Sequence, residues 1–98
     1  MTREEIAEIN EEALLIDGFD SAIIGMAERI NLGPVVAYDE EKIIDILIPQ
    51  MELEDTEGMT EDEIESEKYI MAIEYFESNI KGAWLGENTP VFVRGSFL

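Results

Sequence analysis

Like-charge repulsion limits how compactly this chain can fold. Its 24 acidic residues oppose six basic ones and no histidine, which gives a formal net charge of -18 at pH 7. The hydrophobic fraction is nevertheless 46%, the level of ordinary globular domains rather than of disordered acidic tails. Because 98 residues suit one small domain, we predict a single domain spanning residues 1–98 with one apolar core.

The same charge limits the partners. It repels nucleic acid, whose affinity for proteins comes largely from lysine and arginine contacts to phosphates, and it repels the anionic surface of a membrane. We therefore expect no direct binding to nucleic acid or membranes. The expected partner is a protein with a basic surface, which an acidic chain meets quickly at low ionic strength. The oligomeric state stays open.

Cellular location follows from what the sequence lacks. Cysteine is absent, whereas secreted domains of this size usually carry disulfides. The acidic start is unlike a signal peptide, and the longest apolar runs are far short of the roughly 20 residues that span a bilayer. We expect a cytoplasmic protein. No glycine-rich phosphate loop or H-E-x-x-H pattern occurs, so we predict no cofactor and no resident metal.

The first third of the chain predicts a helix and then a short strand. Thr2 and Glu5 have the spacing of a capping box, which opens a helix over Thr2–Glu12. Ala13–Ile16 is a short apolar run that predicts a buried strand. The turn dipeptide Asp17-Gly18 ends it.

The next segments predict a β-hairpin. Its strands are Ser21–Ile30 and Pro34–Tyr38, with Leu32-Gly33-Pro34 as a loose connection. In the first strand, alternate residues form one apolar face: Ala22, Ile24, Met26 and Ile30.

The rest of the chain predicts two helices and a strand. Asp39 is a suitable N-cap for a helix that ends near Ile48, before a proline. Thr60 opens the longest helix, which reaches about Ile80, and its predicted apolar face is Tyr69, Ile73, Phe76 and Ile80. Thr89–Val93 is a final strand. This order predicts an α+β fold with a small, mainly antiparallel sheet and helices packed on one face.

Acidic residues are densest between the last two helices. One hypothesis is that they form a cation site or a partner-binding surface that imitates a phosphate backbone. The alternative is a solvated loop leading into a helix start, where acids are favourable. A calcium loop aligned on Gly58 would need ligands at Leu53 and Ile64, which cannot ligate. The candidate partner-binding residues here are Glu52, Glu54, Asp55, Glu57, Glu61, Asp62 and Glu63.

Trp84 is the remaining candidate for partner binding. It follows Gly82-Ala83 just beyond a predicted helix end and precedes Gly86. Tryptophan is enriched among the residues that dominate interface energies. The alternative is that Trp84 packs as a buried cap on the helix end.

Four carboxylates would carry an enzymatic or metal-dependent site, if one exists. Asp17, Asp20, Asp39 and Glu87 lie at ends of predicted elements, where they could converge. Asp17 and Asp39 also suit ordinary roles as a turn residue and an N-cap. We therefore predict no catalytic residues and do not expect an enzyme.

Three blocks of the chain support a family resemblance. Asp17 begins D-G-F-x-x-A, a strand-to-helix block runs over residues 35–47, and Asn79 begins N-x-x-G-A-W-x-G-E-x-T-P. Together they resemble a family of small, functionally uncharacterised proteins of tailed bacteriophages, over roughly residues 13–48 and 72–93. The resemblance implies a protein acting in the cytoplasm of the infected bacterium. It carries over no catalytic residues and does not extend to the acidic stretch.

These observations leave three functional hypotheses. The favoured one is a small acidic phage-type interaction module that binds a basic host protein surface, with nucleic-acid mimicry as its sharper form. The second is a phage accessory or structural protein without a host target. The third is a small carboxylate-dependent enzyme.

Overall fold

A computed structural model, which describes residues 1–95, confirms the predicted α+β fold class. Two compact units divide the chain: the first is Met1–Lys42 with the chain from Trp84, and the second is Ile43–Ala83. The single domain stays a prediction. Within residues 1–95, no helix combines the length and the apolar composition needed to cross a membrane. The elements in chain order are α1 (Arg3–Ile9), a first 3₁₀ turn (Asp20–Ala22), β1 (Ile23–Arg29), β2 (Leu32–Asp39), α2 (Glu40–Leu47), a second 3₁₀ turn (Ile48–Gln50), α3 (Glu61–Tyr75), a π-helical segment (Phe76–Lys81) and β3 (Val91–Val93).

The predicted β-hairpin is confirmed, but its turn lies elsewhere. β1 and β2 are antiparallel, with Met26 opposite Val36. Ile30 and Asn31 join the strands, and Asn31 has a φ of 62°, a left-handed conformation that asparagine tolerates. The predicted connection Leu32-Gly33-Pro34 instead belongs to β2. The register is irregular there, which accommodates a proline without an N–H.

The predicted apolar face of β1 is wrong because the strand contains a bulge. Ile24 is the extra residue between the pairs formed by Ile23 and Gly25. Gly25 has a φ of 153°, which glycine adopts without strain. A one-residue insertion moves the following side chains to the other face. Of the four predicted residues, Ala22 is buried and Met26 half-buried, whereas Ile24 is exposed at the bulge and Ile30 in the turn after β1.

β3 completes a mixed sheet by pairing in parallel with β2, placing Phe92 opposite Tyr38. The longer pairing is antiparallel, as predicted, and the predicted strand Thr89–Val93 begins only after Pro90. The rings of Tyr38 and Phe92 are stacked, with centroids 6.0 Å apart. The Tyr38 hydroxyl accepts a hydrogen bond from the Ile16 N–H at 2.9 Å. The buried side chains of this unit include Ile6, Phe19, Ala22, Val35, Val36, Ala37, Tyr38 and Glu40.

α1 begins with the predicted capping box. The Thr2 hydroxyl accepts a hydrogen bond from the Glu5 N–H at 3.2 Å, and the Glu5 carboxylate accepts one from the Thr2 N–H at 3.0 Å. The hydrogen bond from the Thr2 N–H lowers the pKa of the Glu5 carboxyl. The box therefore fixes the helix start where the sequence predicts it.

α1 ends earlier than predicted, at Ile9 rather than Glu12. The Asn10 side chain is held elsewhere, because its Nδ2 donates to the Pro34 carbonyl at 2.8 Å. The predicted strand Ala13–Ile16 is wrong, and this stretch is irregular. Its last N–H donates to a tyrosine hydroxyl rather than to a neighbouring strand.

α2 has the predicted boundaries to within one residue. Asp39 Oδ1 accepts hydrogen bonds from the N–H groups of Glu41 at 3.0 Å and Lys42 at 3.3 Å. The helix ends at Leu47 and passes into the second 3₁₀ turn. Pro49 lies in that turn and explains the end, because proline disfavours helical geometry in the residue before it.

α3 begins at the predicted cap and changes geometry before its end. The Thr60 hydroxyl accepts a hydrogen bond from the N–H three residues on, at 3.2 Å. The α-helix stops at Tyr75, and Phe76–Lys81 continues as a π-helix. Gly82 is its C-cap. A Cβ at Gly82 would lie 2.8 Å from the Glu77 carbonyl oxygen, so only glycine fits there without a shift.

The predicted apolar face of α3 is wrong at Tyr69, which is 49% exposed. The inward-facing line instead steps by four residues through Ile64, Lys68, Ala72 and Phe76. The first two are half-buried and the last two fully buried. The buried apolar side chains of the second unit include Ile43, Ile44, Leu47, Ala72 and Phe76.

Candidate partner-binding surface

Seven predicted binding residues form what we term the acidic segment. They occupy the loop after the second 3₁₀ turn and the first turn of α3, and all are exposed. Within residues 1–95, none of their carboxylates forms an ion pair. The acidic segment therefore presents uncompensated negative charge to solvent. Its members are Glu52, Glu54, Asp55, Glu57, Glu61, Asp62 and Glu63.

The loop part of the acidic segment is built from hydrogen-bonded turns. Asp55 Oδ1 accepts a hydrogen bond from the Glu57 N–H at 3.2 Å. The Met59 N–H donates to the Thr56 carbonyl at 3.0 Å. Gly58 has a φ of 83°, a conformation that favours glycine. The loop carboxylates are thus carried on a defined backbone.

The helical part has a structural explanation of its own. The Thr60 hydroxyl donates to the Glu63 carboxylate at 3.2 Å. Glu61 and Asp62 also lie in the first turn of α3, where the helix dipole favours negative charge. The loop carboxylates do not stabilise a helix start. Their charge is therefore the part of the acidic segment that is most available to a partner.

Within the described part of the chain, no three acidic side chains are grouped so that they could hold a metal ion.

A shallow groove of about 470 Å³ lies beside the acidic segment. It is formed by the second 3₁₀ turn, the loop that follows and the first half of α3. Met51, Leu53 and Ile64 are half-buried there. Part of their apolar surface therefore faces the groove and is exposed to solvent. The lining also includes Pro49, Glu52 and Lys68.

Sequence analysis missed this groove. Met51 and Leu53 alternate with Glu52 and Glu54, a pattern typical of an extended segment with one half-buried side. The high acidic content of the stretch makes this alternation easy to overlook. Ile64 and Lys68, four residues apart on α3, supply the opposite wall, as neighbours on one helix face do.

Trp84 is exposed, so its interpretation as a buried cap is wrong. Trp84 is 74% exposed and Leu85 67%. The Leu85 N–H donates to Thr89 Oγ1 at 2.9 Å, and the Thr89 hydroxyl donates to the Gly86 carbonyl at 2.6 Å. A hydrogen-bonded turn thus presents two large apolar side chains to solvent, which is typical of an interaction site. Trp84 belongs to the first unit and the acidic segment to the second.

Two of the four candidate catalytic acids meet, and they meet on an arginine. Arg3 Nη2 lies 3.1 Å from Asp17 Oδ1, and Arg3 Nε lies 2.8 Å from Asp20 Oδ2. The hydrogen bond from Arg3 lowers the pKa of Asp20, and the two aspartates raise that of Arg3. A carboxylate stabilised in its charged form is a poor proton donor. The cluster links the first turn of α1 to the segment before β1.

The other two candidate acids, Asp39 and Glu87, do not take part in that cluster. Asp39 caps α2 through its side chain. Glu87 is exposed in the turn before β3. Neither is joined to Asp17 or Asp20 by a hydrogen bond within residues 1–95.

No protein-family model, curated protein or solved structure matches the chain. The resemblance to small phage proteins therefore stays a prediction.

Proposed function

We propose that this chain is a protein-interaction module that binds a basic surface of a partner protein through the acidic segment. The observation that carries the proposal is that all seven carboxylates are exposed and, within residues 1–95, without ion pairs. A basic surface supplies the missing counter-charges, and long-range attraction speeds the encounter.

Exposed Trp84 supports the same function from the other unit. Charge gives on-rate and specificity, whereas buried aromatic anchors give most of the binding energy. A chain that presents both an acidic segment and a solvent-facing tryptophan has the two components that a protein interface needs.

The resemblance to phage proteins suggests the class of partner. It favours a bacterial host protein, and a host protein that binds nucleic acid carries the strongest basic surface. In that form of the proposal, the carboxylates of the acidic segment occupy positions that phosphates take in the partner's groove. Duplex DNA would then compete with this chain for the partner.

Two charge-matched variants test the proposal. The segment-neutral variant carries Glu52→Gln, Glu54→Gln, Asp55→Asn and Glu57→Gln. The helix-neutral variant removes the same number of charges from exposed positions on and after α1: Glu4→Gln, Glu8→Gln, Glu11→Gln and Glu12→Gln. Both leave the capping residues Glu5 and Glu63 in place.

The experiment is affinity capture from bacterial lysate at about 50 mM and about 500 mM salt, since screening shortens strongly over this range. We expect one dominant protein to be held by the wild type and the helix-neutral variant at low salt. High salt should release it, and the segment-neutral variant should not capture it. Equal capture by the two variants would contradict the proposal. Capture that persists at high salt would assign binding to apolar surface instead.

A further inference from the structure

The groove beside the acidic segment combines two kinds of surface. Pro49, Met51, Leu53 and Ile64 contribute the apolar part of its lining. Glu52 also lines the groove, and the exposed carboxylates of Glu54, Asp55 and Glu57 follow on the same loop. Its volume of about 470 Å³ falls within the usual range of small-ligand sites, about 300–1,000 Å³.

We infer that this groove binds an apolar side chain carried by a basic segment of the partner protein. The inference rests on the proposed function and names the chemistry of the partner. Binding of an apolar side chain there would remove its surface, and that of the half-buried lining, from contact with water. Lysine or arginine residues on either side of it then meet Glu52 and the other carboxylates of the loop.

Charge complementarity disfavours the other occupants. A second copy would bring another body of net charge -18 against the same acidic loop. An anionic membrane surface would be repelled for the same reason. The lining offers an acidic ligand one cation, Lys68, beside the carboxylate of Glu52.

Lys68 gives the inference a specific signature. Its ammonium forms no ion pair within residues 1–95, so it repels a basic ligand in the groove. Lys68→Met keeps the apolar stem and removes that charge. If the ligand is basic, this variant binds it more tightly. Lys42→Met is the matched control, because Lys42 is exposed on α2 and outside the groove lining.

Two short synthetic peptides of equal charge serve as probes. One alternates lysine and leucine pairs, and the other has serine in place of each leucine. Their affinities for the full chain are measured by calorimetry, and the methyl resonances of Leu53 and Ile64 are followed by NMR. We expect the leucine peptide to bind about tenfold more tightly, the worth of burying one such side chain. Only that peptide should shift both methyl resonances.

Substitutions in the protein identify the surface that favours the leucine peptide over the serine peptide. Leu53→Ser should abolish the advantage of the leucine peptide while leaving the binding of the serine peptide unchanged, which also shows that the variant is folded. Leu85→Ser, an exposed leucine on the Trp84 turn, should leave the advantage intact. Lys68→Met should tighten the leucine peptide more than Lys42→Met does.

Each contrary outcome has its own meaning. If both peptides bind equally, the proposed function stands and this inference is overturned. If neither binds at low salt, both fail. Loss of the leucine advantage in Leu85→Ser alone would move the site to the Trp84 turn and overturn the inference. Methyl shifts of Leu53 that depend on protein concentration without peptide would assign the groove to a second copy, with the same consequence.

Discussion

Arg3 holds Asp20 through both carboxylate oxygens. Its Nε lies 2.8 Å from Oδ2 and its Nη2 lies 2.9 Å from Oδ1, and the same Nη2 reaches Asp17 at 3.1 Å. The paired geometry fixes direction as well as distance. It joins the first turn of α1 to the 3₁₀ turn ahead of β1, and so uses two acids that would otherwise be candidates for a catalytic site.

Asp20→Asn should lower the urea midpoint at neutral pH. Arg3 lowers the pKa of Asp20 in the folded protein, so the charged form is stabilised by folding. That contribution is complete above the unfolded value of about 3.9 and is lost as the pH falls through the folded pKa. The difference between wild type and variant should therefore be present at pH 7 and shrink steadily below about pH 4.

Asp45→Asn is the control for that experiment. Asp45 is an exposed acid on α2 without an ion pair within residues 1–95. Its replacement should leave the midpoint unchanged or raise it slightly, because one like charge is removed. Equal effects of the two substitutions would show that the Arg3 pairing adds nothing to stability.

Tyr38→Phe should destabilise the protein by about 1–3 kcal/mol, because the half-buried Ile16 N–H loses its acceptor. Equilibrium unfolding in urea measures the change. Tyr75→Phe, at an exposed position, should stay within about 0.5 kcal/mol of the wild type. Burial also raises the pKa of the Tyr38 phenol, so in an ultraviolet titration Tyr38 should ionise above the ordinary value for tyrosine, about pH 10. Equal stability of the two variants would refute the role of the hydroxyl.

Gly82→Ala should destabilise the protein although alanine ordinarily favours helices. The new Cβ would meet the Glu77 carbonyl oxygen at 2.8 Å, and overpacking of this kind costs about 1–3 kcal/mol. Ser66→Ala, at an exposed site in α3, should instead give a small gain from helix propensity. Thermal unfolding compares them. A stabilised Gly82→Ala would mean that the π-helical end relaxes without cost.

Trp84→Ala should separate binding from stability. Because Trp84 is 74% exposed, the free energy of unfolding should change by less than about 0.5 kcal/mol. Capture of the partner should fall, since exposed tryptophans are frequent interface anchors. Trp84→Phe retains an aromatic ring and should keep part of the binding. Undiminished capture by Trp84→Ala would remove this residue from the interface.

The helix starts are the features that sequence predicts best. Thr2, Asp39 and Thr60 each accept a hydrogen bond from an N–H two or three residues later. The whole interaction is therefore contained in a few consecutive residues, and its pattern is visible without any knowledge of the fold.

Features that depend on distant contacts were mispredicted or missed. The bulge at Ile24 becomes apparent only from the pairing with β2. The exposure of Tyr69 depends on which line of α3 faces inward. The segment Ala13–Ile16 is not a strand, and its last N–H, that of Ile16, donates to the hydroxyl of Tyr38, 22 residues away in the chain.

The candidate site divides in the same way. Exposure of the acidic segment follows from charge alone, because unpaired carboxylates are rarely buried. The position of Trp84 did not follow, since one short motif suits both a buried cap and an exposed turn. The groove cannot be predicted from the sequence, because its walls come from Leu53 on the loop and Ile64 on α3. Only folding brings these two residues to one site.

The decisive measurement is the dissociation constant of the captured partner for the wild type, the segment-neutral variant and the helix-neutral variant, from about 50 to about 500 mM salt. The proposed function predicts that the segment-neutral variant loses about tenfold or more in affinity at low salt and depends less steeply on salt. The helix-neutral variant should stay close to the wild type. Equal losses in the two variants would show that net charge, and not the acidic segment, attracts the partner.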